Sequence, residues 1–349
     1  MQSTEPFQLT LDLGDPAEVL AFVPYLVGFT PDPTAALVLV ALTGNQVLAT
    51  AYTALPAVAE PLGPLSEAVR RKAVVIAEHG GTAAILVGYG ETRRVDPAVA
   101  AAGTALHETG IEVRRALRVT DGRYFSLDCQ DATCCPPTGT PFDPSGTVAA
   151  ATAVMAGMVA LRDRQAVADT IAPVTGPARQ AMVTATISAC QRMQDLLDTA
   201  PAGDVATDSD LTAWDSPVGH QIWAAAVAQL AHATVSYRAG QPIDDEHAAL
   251  LTVLLDVPGV RAYAARQGSG QLWQIAMWSD LVRRAEPPFT PAAACLLALA
   301  ALQAGNGTLA DAAARRALAT DPTYRLAQLL QLAIARGIHP DTVTRLLAH

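Results

Sequence analysis

Up to about residue 145 the chain alternates apolar runs with helical patterns, punctuated by Gly-Asn and Asp-Gly; beyond Ser145 no convincing strand signal appears and alanine-rich helical segments follow one another. This change of pattern constrains the fold more than any single motif. Strands interleaved with helices specify an α/β layer, and a long run of helices must build a core of its own. A chain of 349 residues is also long for one core, so two domains are expected: an α/β mixed-sheet domain with flanking helices over 1–145 and an all-α domain over 146–349.

Phe7 to Leu13 alternates apolar and polar residues, as a half-buried strand does. Asp15, Pro16 and Glu18 form a helix start in which the glutamate is expected to reach back to the cap; the helix should run to Val27, bend at Pro24 and stop at Gly28. Ala35 to Leu42 is unbroken in apolar character and predicts a central strand, joined through Gly44-Asn45 to a second strand over Val47 to Thr53. A helix from Leu65 to Glu78 places Leu65, Val69, Ala73 and Ile76 on one side, and Ala84 to Tyr89 predicts the next buried strand. Asp96-Pro97 is expected to cap a helix that ends near Gly110. From there the period returns to two, with Ile111, Val113, Leu117 and Val119 on one face and Glu112, Arg114 and Arg118 on the other. Asp121-Gly122 turns the chain into a last strand, Tyr124 to Leu127.

In the second half, helices are expected near 146–162, 163–172, 176–199, 217–239, 243–256, 269–285, 290–305, 308–320 and 323–336, with a final one near the end. Residues 200–216 form one long polar loop. The stretch "CLLALAALQAGNGTLADAAARRALATDPTYRLAQLL" reads as two helices closed by Gly-Asn-Gly with a third after Asp321-Pro322, a tetratricopeptide-like ending with small residues at Ala301, Ala312 and Ala317. A single unit of that kind must lean on its neighbours to bury its face.

A formal charge of −10 disfavours nucleic acid and anionic lipid as partners. The one lysine, Lys72, rules out a P-loop and reads as part of a solvated helix face. The first residues lack the basic and apolar regions of a signal peptide, and the most apolar stretches are shorter than the roughly 20 residues of a bilayer span. A cytoplasmic location is therefore expected. Thiols stay reduced there, so five cysteines imply no disulfide framework.

Three of those cysteines fall in "DCQDATCCPP", residues 128–137. Cys129, Cys134 and Cys135 are the candidate metal ligands, with zinc as the candidate ion, although the spacing lacks paired C-x-x-C and adjacent side chains are expected to diverge. A fourth ligand would come from Asp128, Asp131 or a distant histidine. Two other readings stand beside it: a labile thiol switch between Cys129 and Cys134, and plain packing of small thiols in a proline-stiffened loop. Arg123 could bind an anion or lower a nearby thiol pKa, or with Tyr124 simply flank the hairpin. Cys190 and Cys295 lie on apolar helices and read as core. Asp244 and His247 sit one turn apart at a helix start, where acids favour the macrodipole. His79 and His107 read as helix-end caps, His220 and His232 are too far apart to share an ion, and the helix carrying Trp273, Met277, Trp278 and Leu281 reads as core. Neither G-x-S-x-G, G-x-G-x-x-G nor H-E-x-x-H occurs.

The segments "VPYLVGFTPDPTAALVLVAL", "GRYFSLDCQDATCCPPTGTPFDP" and "LVRRAEPPFTPAAACLLALAALQAGNGTLADAAARRALATDPTY" together resemble the actinobacterial domain-of-unknown-function family four-one-nine-two. The resemblance spans nearly the whole chain; Pro24, Gly28, Phe29, Arg123, Cys129, Cys134, Cys135, Pro136, Gly139 and Pro141 fit its pattern. Where that family tends to carry Arg-x-Asp-x-Pro, this chain has "YTALP" at 52–56. The resemblance brings no activity with it. With no catalytic constellation in view, the leading expectation is a non-enzymatic protein-binding or adaptor protein with an unidentified protein partner. The alternatives are a metal-binding or thiol redox protein working through the cysteine loop, and a small-ligand protein with an interdomain pocket.

Overall fold

The computed structural model describes residues 14–129, 131–156, 158–198 and 216–337. The strand expected at Phe7 to Leu13, the polar loop up to residue 215 and the last helix fall outside them. The chain divides into two compact units that part after Val167.

The first unit begins with α1, Pro16–Val27, whose start is fixed by Asp15 accepting from the Ala17 N–H at 2.8 Å. The hairpin follows as expected: β1, Ala36–Thr43, and β2, Gln46–Ala54, pair antiparallel across Gly44-Asn45. α2, Gly63–Glu78, buries Leu65, Val69, Ala73 and Ile76, the four residues its periodicity nominated. Lys72 on this helix is half-buried rather than solvated, and loss of hydration lowers the pKa of its ammonium. Next come β3, Ala83–Tyr89, α3, Thr92–His107, β4, Glu112–Thr120, and β5, Arg123–Ser126. A short β6, Thr140–Pro141, which the sequence reading missed, pairs with β5. The mixed six-stranded sheet runs β2-β1-β3-β4-β5-β6, with β3 and β4 its parallel pair.

Apolar runs without alternation become strands covered on both faces. Leu37, Leu39, Ala41, Ala84 and Leu86 join α2 and α3 in one core. On the opposite face Thr50 donates to the Leu26 carbonyl of α1 at 3.2 Å, and Tyr52 meets Phe29 edge-on with ring centroids 5.0 Å apart.

Three local expectations are corrected in this unit. First, α3 starts at Thr92, four residues before Asp96, so Asp96 is not its cap and Pro97 lies inside the helix. Second, the pairing of β4 with β3 slips between Ala84/Val113 and Ile85/Arg115, leaving Arg114 as an extra residue. Because side chains alternate, one extra residue exchanges the faces of everything beyond it. Val113 and Ala116 consequently pack with the α2/α3 core, and Arg118, expected on a polar face, is buried beside α3 at 7% exposure. Third, α4, Val148–Met155, is much shorter than the expected 146–162; the chain then extends, and Phe29 bridges Leu161.

The second unit is helical. It takes up the end of α5, Arg164–Asp169, from Ala168 on, followed by α6, Gly176–Asp198, α7, Pro217–Arg238, α8, Asp245–Leu254, α9, Pro258–Arg266, α10, Leu272–Arg284, α11, Thr290–Gln303, α12, Gly307–Thr320, and α13, Arg325–Arg336. α9 was not foreseen; Pro258 at its first position is the signal that marked it. α11 buries every residue from Thr290 to Ala301, as a helix apolar on all sides must, and packs against α10 and α12. Arg284 and the Tyr237 hydroxyl both donate to Asp280, and Arg284 Nη1 donates to Asp245 at 3.1 Å, tying α7, α8 and α10 together. Among the described residues no single helix is long and apolar enough to cross a membrane.

Candidate metal centre and its cavity

The cysteine loop bridges two paired strands rather than hanging from a last one. The turn that starts the hairpin has Asp121 at φ 49° and Gly122 at φ 69°, the left-handed pair that matches strand twist. At the far end Gly139, at φ +73°, has the Phe125 ring where a side chain would begin, 2.6 Å from a Cβ placed there. Arg123 Nη1 donates to the carbonyls of Gly139 at 2.9 Å and Thr138 at 3.3 Å, closing the loop onto β5. Of the alternatives for Arg123, these bonds are those of a residue that flanks and closes the hairpin.

Within the loop the two aspartates are also engaged. Asp128 accepts from the Ser126 hydroxyl at 2.7 Å and faces Arg115 at 3.7 Å. The Asp131 carboxylate accepts from the Thr133 N–H at 2.8 Å, while its carbonyl accepts from the N–H groups of Cys134 at 3.2 Å and Cys135 at 2.8 Å. This tight turn swings both adjacent cysteines toward Cys129, so the expected divergence does not occur. The Sγ atoms lie 3.3 Å apart for Cys129 and Cys134 and 3.4 Å apart for Cys134 and Cys135, and all three fall within 4.8 Å of one another. Cys129 and Cys135 are half-buried and Cys134 is exposed.

Cys129 and Cys134 are shifted in opposite directions. The Asp131 N–H, and then the thiols of Cys134 and Cys135, stabilise a Cys129 thiolate and lower its pKa. Cys134, hydrogen-bonded to Cys129 and Cys135, is pushed up to about 12. Of the other two cysteines, Cys295 is buried and raised to about 12 by that burial, while Cys190, expected in the core, is only half-buried.

A tetrahedral zinc with Zn–S bonds of about 2.3 Å separates its sulfurs by about 3.8 Å, so the 3.3 and 3.4 Å pairs would open by a few tenths of an ångström and the third pair, within 4.8 Å, lies in the same range. Asp128 and Asp131 are held elsewhere, which leaves the fourth ligand to come from outside the loop. Cys129 and Cys135 line a cavity of about 360 Å³ that also takes in Thr92, Asp96, Arg118, Tyr124, Phe125 and Leu127. It sits where the carboxyl ends of β3 and β4 meet the start of α3, the usual place for a site in an open sheet with parallel strands.

A model of the family described as "Domain of unknown function (DUF4192)" matches residues 16–341. The chain belongs to that family. Neither a curated protein nor a solved structure matches it. Within the DUF4192 segment, the sequence singled out the cysteines but not Asp96, Arg118 or Phe125. Arg118 was legible only as one of the charged residues on the polar face of an alternating strand, an assignment that the bulge at Arg114 overturns. Among the described residues the histidines form no comparable group of three ligands: Asp244 caps α8 by accepting from the His247 N–H at 2.8 Å, and the His247 ring lies beside that of His232 with centroids 4.5 Å apart.

Proposed function

We propose that this protein binds a thiophilic divalent metal, with zinc as the first candidate, through Cys129, Cys134 and Cys135. The convergence of three sulfurs within 4.8 Å, from a spacing that does not resemble a zinc motif, carries the reading. Deprotonation on binding suits the trio, since one thiol is already biased toward thiolate. The fourth position would open toward the cavity, as in sites that keep one ligand exchangeable.

The test is cobalt substitution with metal analysis. One equivalent of cobalt giving thiolate charge-transfer and tetrahedral d–d bands, lost in Cys134→Ser, is the expected result. A chain that retains no metal, or one whose Cys129→Ser/Cys134→Ser/Cys135→Ser variant retains as much, would overturn it. The thiol-switch reading predicts instead that glutathione disulfide converts Cys129 and Cys134 to a disulfide even when zinc is present.

A second reading, partner binding by the tetratricopeptide-like ending, draws support from α13, where Leu329 and Leu332 are 55% and 45% exposed one turn apart. Leu329→Asp/Leu332→Asp should then abolish co-purification of a specific partner while leaving thermal stability intact. Unchanged co-purification would remove this reading.

A further inference from the structure

Arg118 in the cavity wall is set apart from every other arginine in the sheet. It is only 7% exposed, its guanidinium lies 4.2 Å from the centroid of the Phe125 ring, and its hydrogen bonds to Asp96, at 2.6 and 2.7 Å, both leave from Nη1. Its Nε is buried and has no hydrogen-bond partner. An unpaired charged donor in the interior is unfavourable, and a ligand group beside it would offset that cost. The Nε and Nη2 N–H groups point the same way along one edge of the guanidinium. With Nε closed off and Nη1 held by Asp96, Nη2 is the donor left to meet a ligand carboxylate.

The surroundings point to the same class of ligand. Thr92 opens α3, whose N-cap residue Glu91 makes no side-chain cap, so the positive end of a 16-residue helix faces the cavity uncapped by a side chain. Asp96 already offsets the charge of Arg118, which favours a singly charged anion over a doubly charged phosphate. Beside the polar Ser126 and Thr140 and the thiols of Cys129 and Cys135, the wall carries Tyr124, Phe125, Leu127 and the Pro136-Pro137 pair, an apolar and aromatic surface that suits a compact organic body.

We propose that this cavity is a binding site for a small organic monocarboxylate, held by the Arg118 guanidinium in the cavity wall and the N-terminus of α3, with its body against Phe125 and Tyr124. The site stands on Arg118 and the cavity alone and does not require the cysteine metal.

Benzoate and its neutral isostere benzamide are suitable probes, titrated calorimetrically into the full chain with inorganic phosphate as the doubly charged comparison. Benzoate should saturate one site and bind at least about tenfold more tightly than benzamide or phosphate, since a charge-assisted hydrogen bond separates them. Arg118→Gln should lower benzoate affinity by about tenfold or more. If Arg118→Gln does not fold, Ala132→Trp, which sets a bulky side chain at a lining position on the cysteine loop and leaves Arg118 in place, should give the same loss. The titration is run with and without zinc. Equal affinities for benzoate and benzamide, benzoate binding undiminished in folded Arg118→Gln or in Ala132→Trp, no saturation, or saturation only in the presence of zinc would each overturn the proposal.

Discussion

The carboxylate of Glu18 accepts hydrogen bonds from the backbone N–H of Ala149 at 2.6 Å and of Val148 at 3.2 Å. It thus caps a helix that begins about a third of the chain later, instead of completing the capping box at its own helix start. The bond ties α1 to α4, which pack together, and adds to the Thr147 hydroxyl that accepts from the Ala150 N–H at 3.2 Å. Glu18→Ala should cost about 1 kcal/mol in urea unfolding, with faster amide exchange confined to the first turn of α4. Unaltered exchange there would show that the cap carries no energy.

The Asp96–Arg118 pair predicts an asymmetric penalty. Asp96→Asn leaves a guanidinium that is 7% exposed without its carboxylate, and should destabilise the first unit by about 2–3 kcal/mol. Chemical denaturation followed by a probe in that unit measures it, and a change below about 0.5 kcal/mol would contradict the buried pairing.

Gly139 serves both backbone and packing. A side chain at φ +73° is strained, and its Cβ would meet the Phe125 ring at 2.6 Å. Gly139→Ala should therefore cost about 2–3 kcal/mol and displace the ring on which Arg118 rests. Denaturant midpoints with the slope unchanged would record the loss.

Thiol reactivity should follow the order of the pKa shifts. The lowered pKa of Cys129 raises its thiolate fraction at neutral pH, so iodoacetamide should label it first, while Cys134 and Cys295, both pushed up to about 12, stay protonated and slow. Cys134→Ala removes one of the hydrogen bonds that lowers Cys129, and labelling of Cys129 at neutral pH should slow several-fold, by about 3-fold or more. Mass-resolved alkylation rates decide it.

Metal affinity should rise with pH. Cys134 keeps its proton to about 12 in the free protein and must lose it to become a ligand, so zinc binding at neutral pH should release at least about one proton. Calorimetric titration in two buffers of different ionisation enthalpy measures that number. A value of zero would show that Cys134 is not a ligand.

The elements with a local signature were legible from residue order alone. Leu65, Val69, Ala73 and Ile76 share a face because a helix repeats every 3.6 residues, and Gly44-Asn45 turns a hairpin because its backbone tolerates the required angles. The cysteine cluster was likewise visible as a cluster. What its three sulfurs do was not, because their convergence depends on the turn through Asp131 and on β6 closing the loop from the far side.

The sequence by itself therefore determined most of the strands and helices and the family, which follow from periodicity and neighbouring residues, while β6 and α9 escaped it. Only the tertiary structure decided that Arg118 is buried, that Glu18 caps α4 and that Cys129 meets Cys134 at 3.3 Å. Each of these depends on the register of residues remote in sequence. One extra residue at Arg114 is enough to exchange the two faces of a strand, and no local pattern records it.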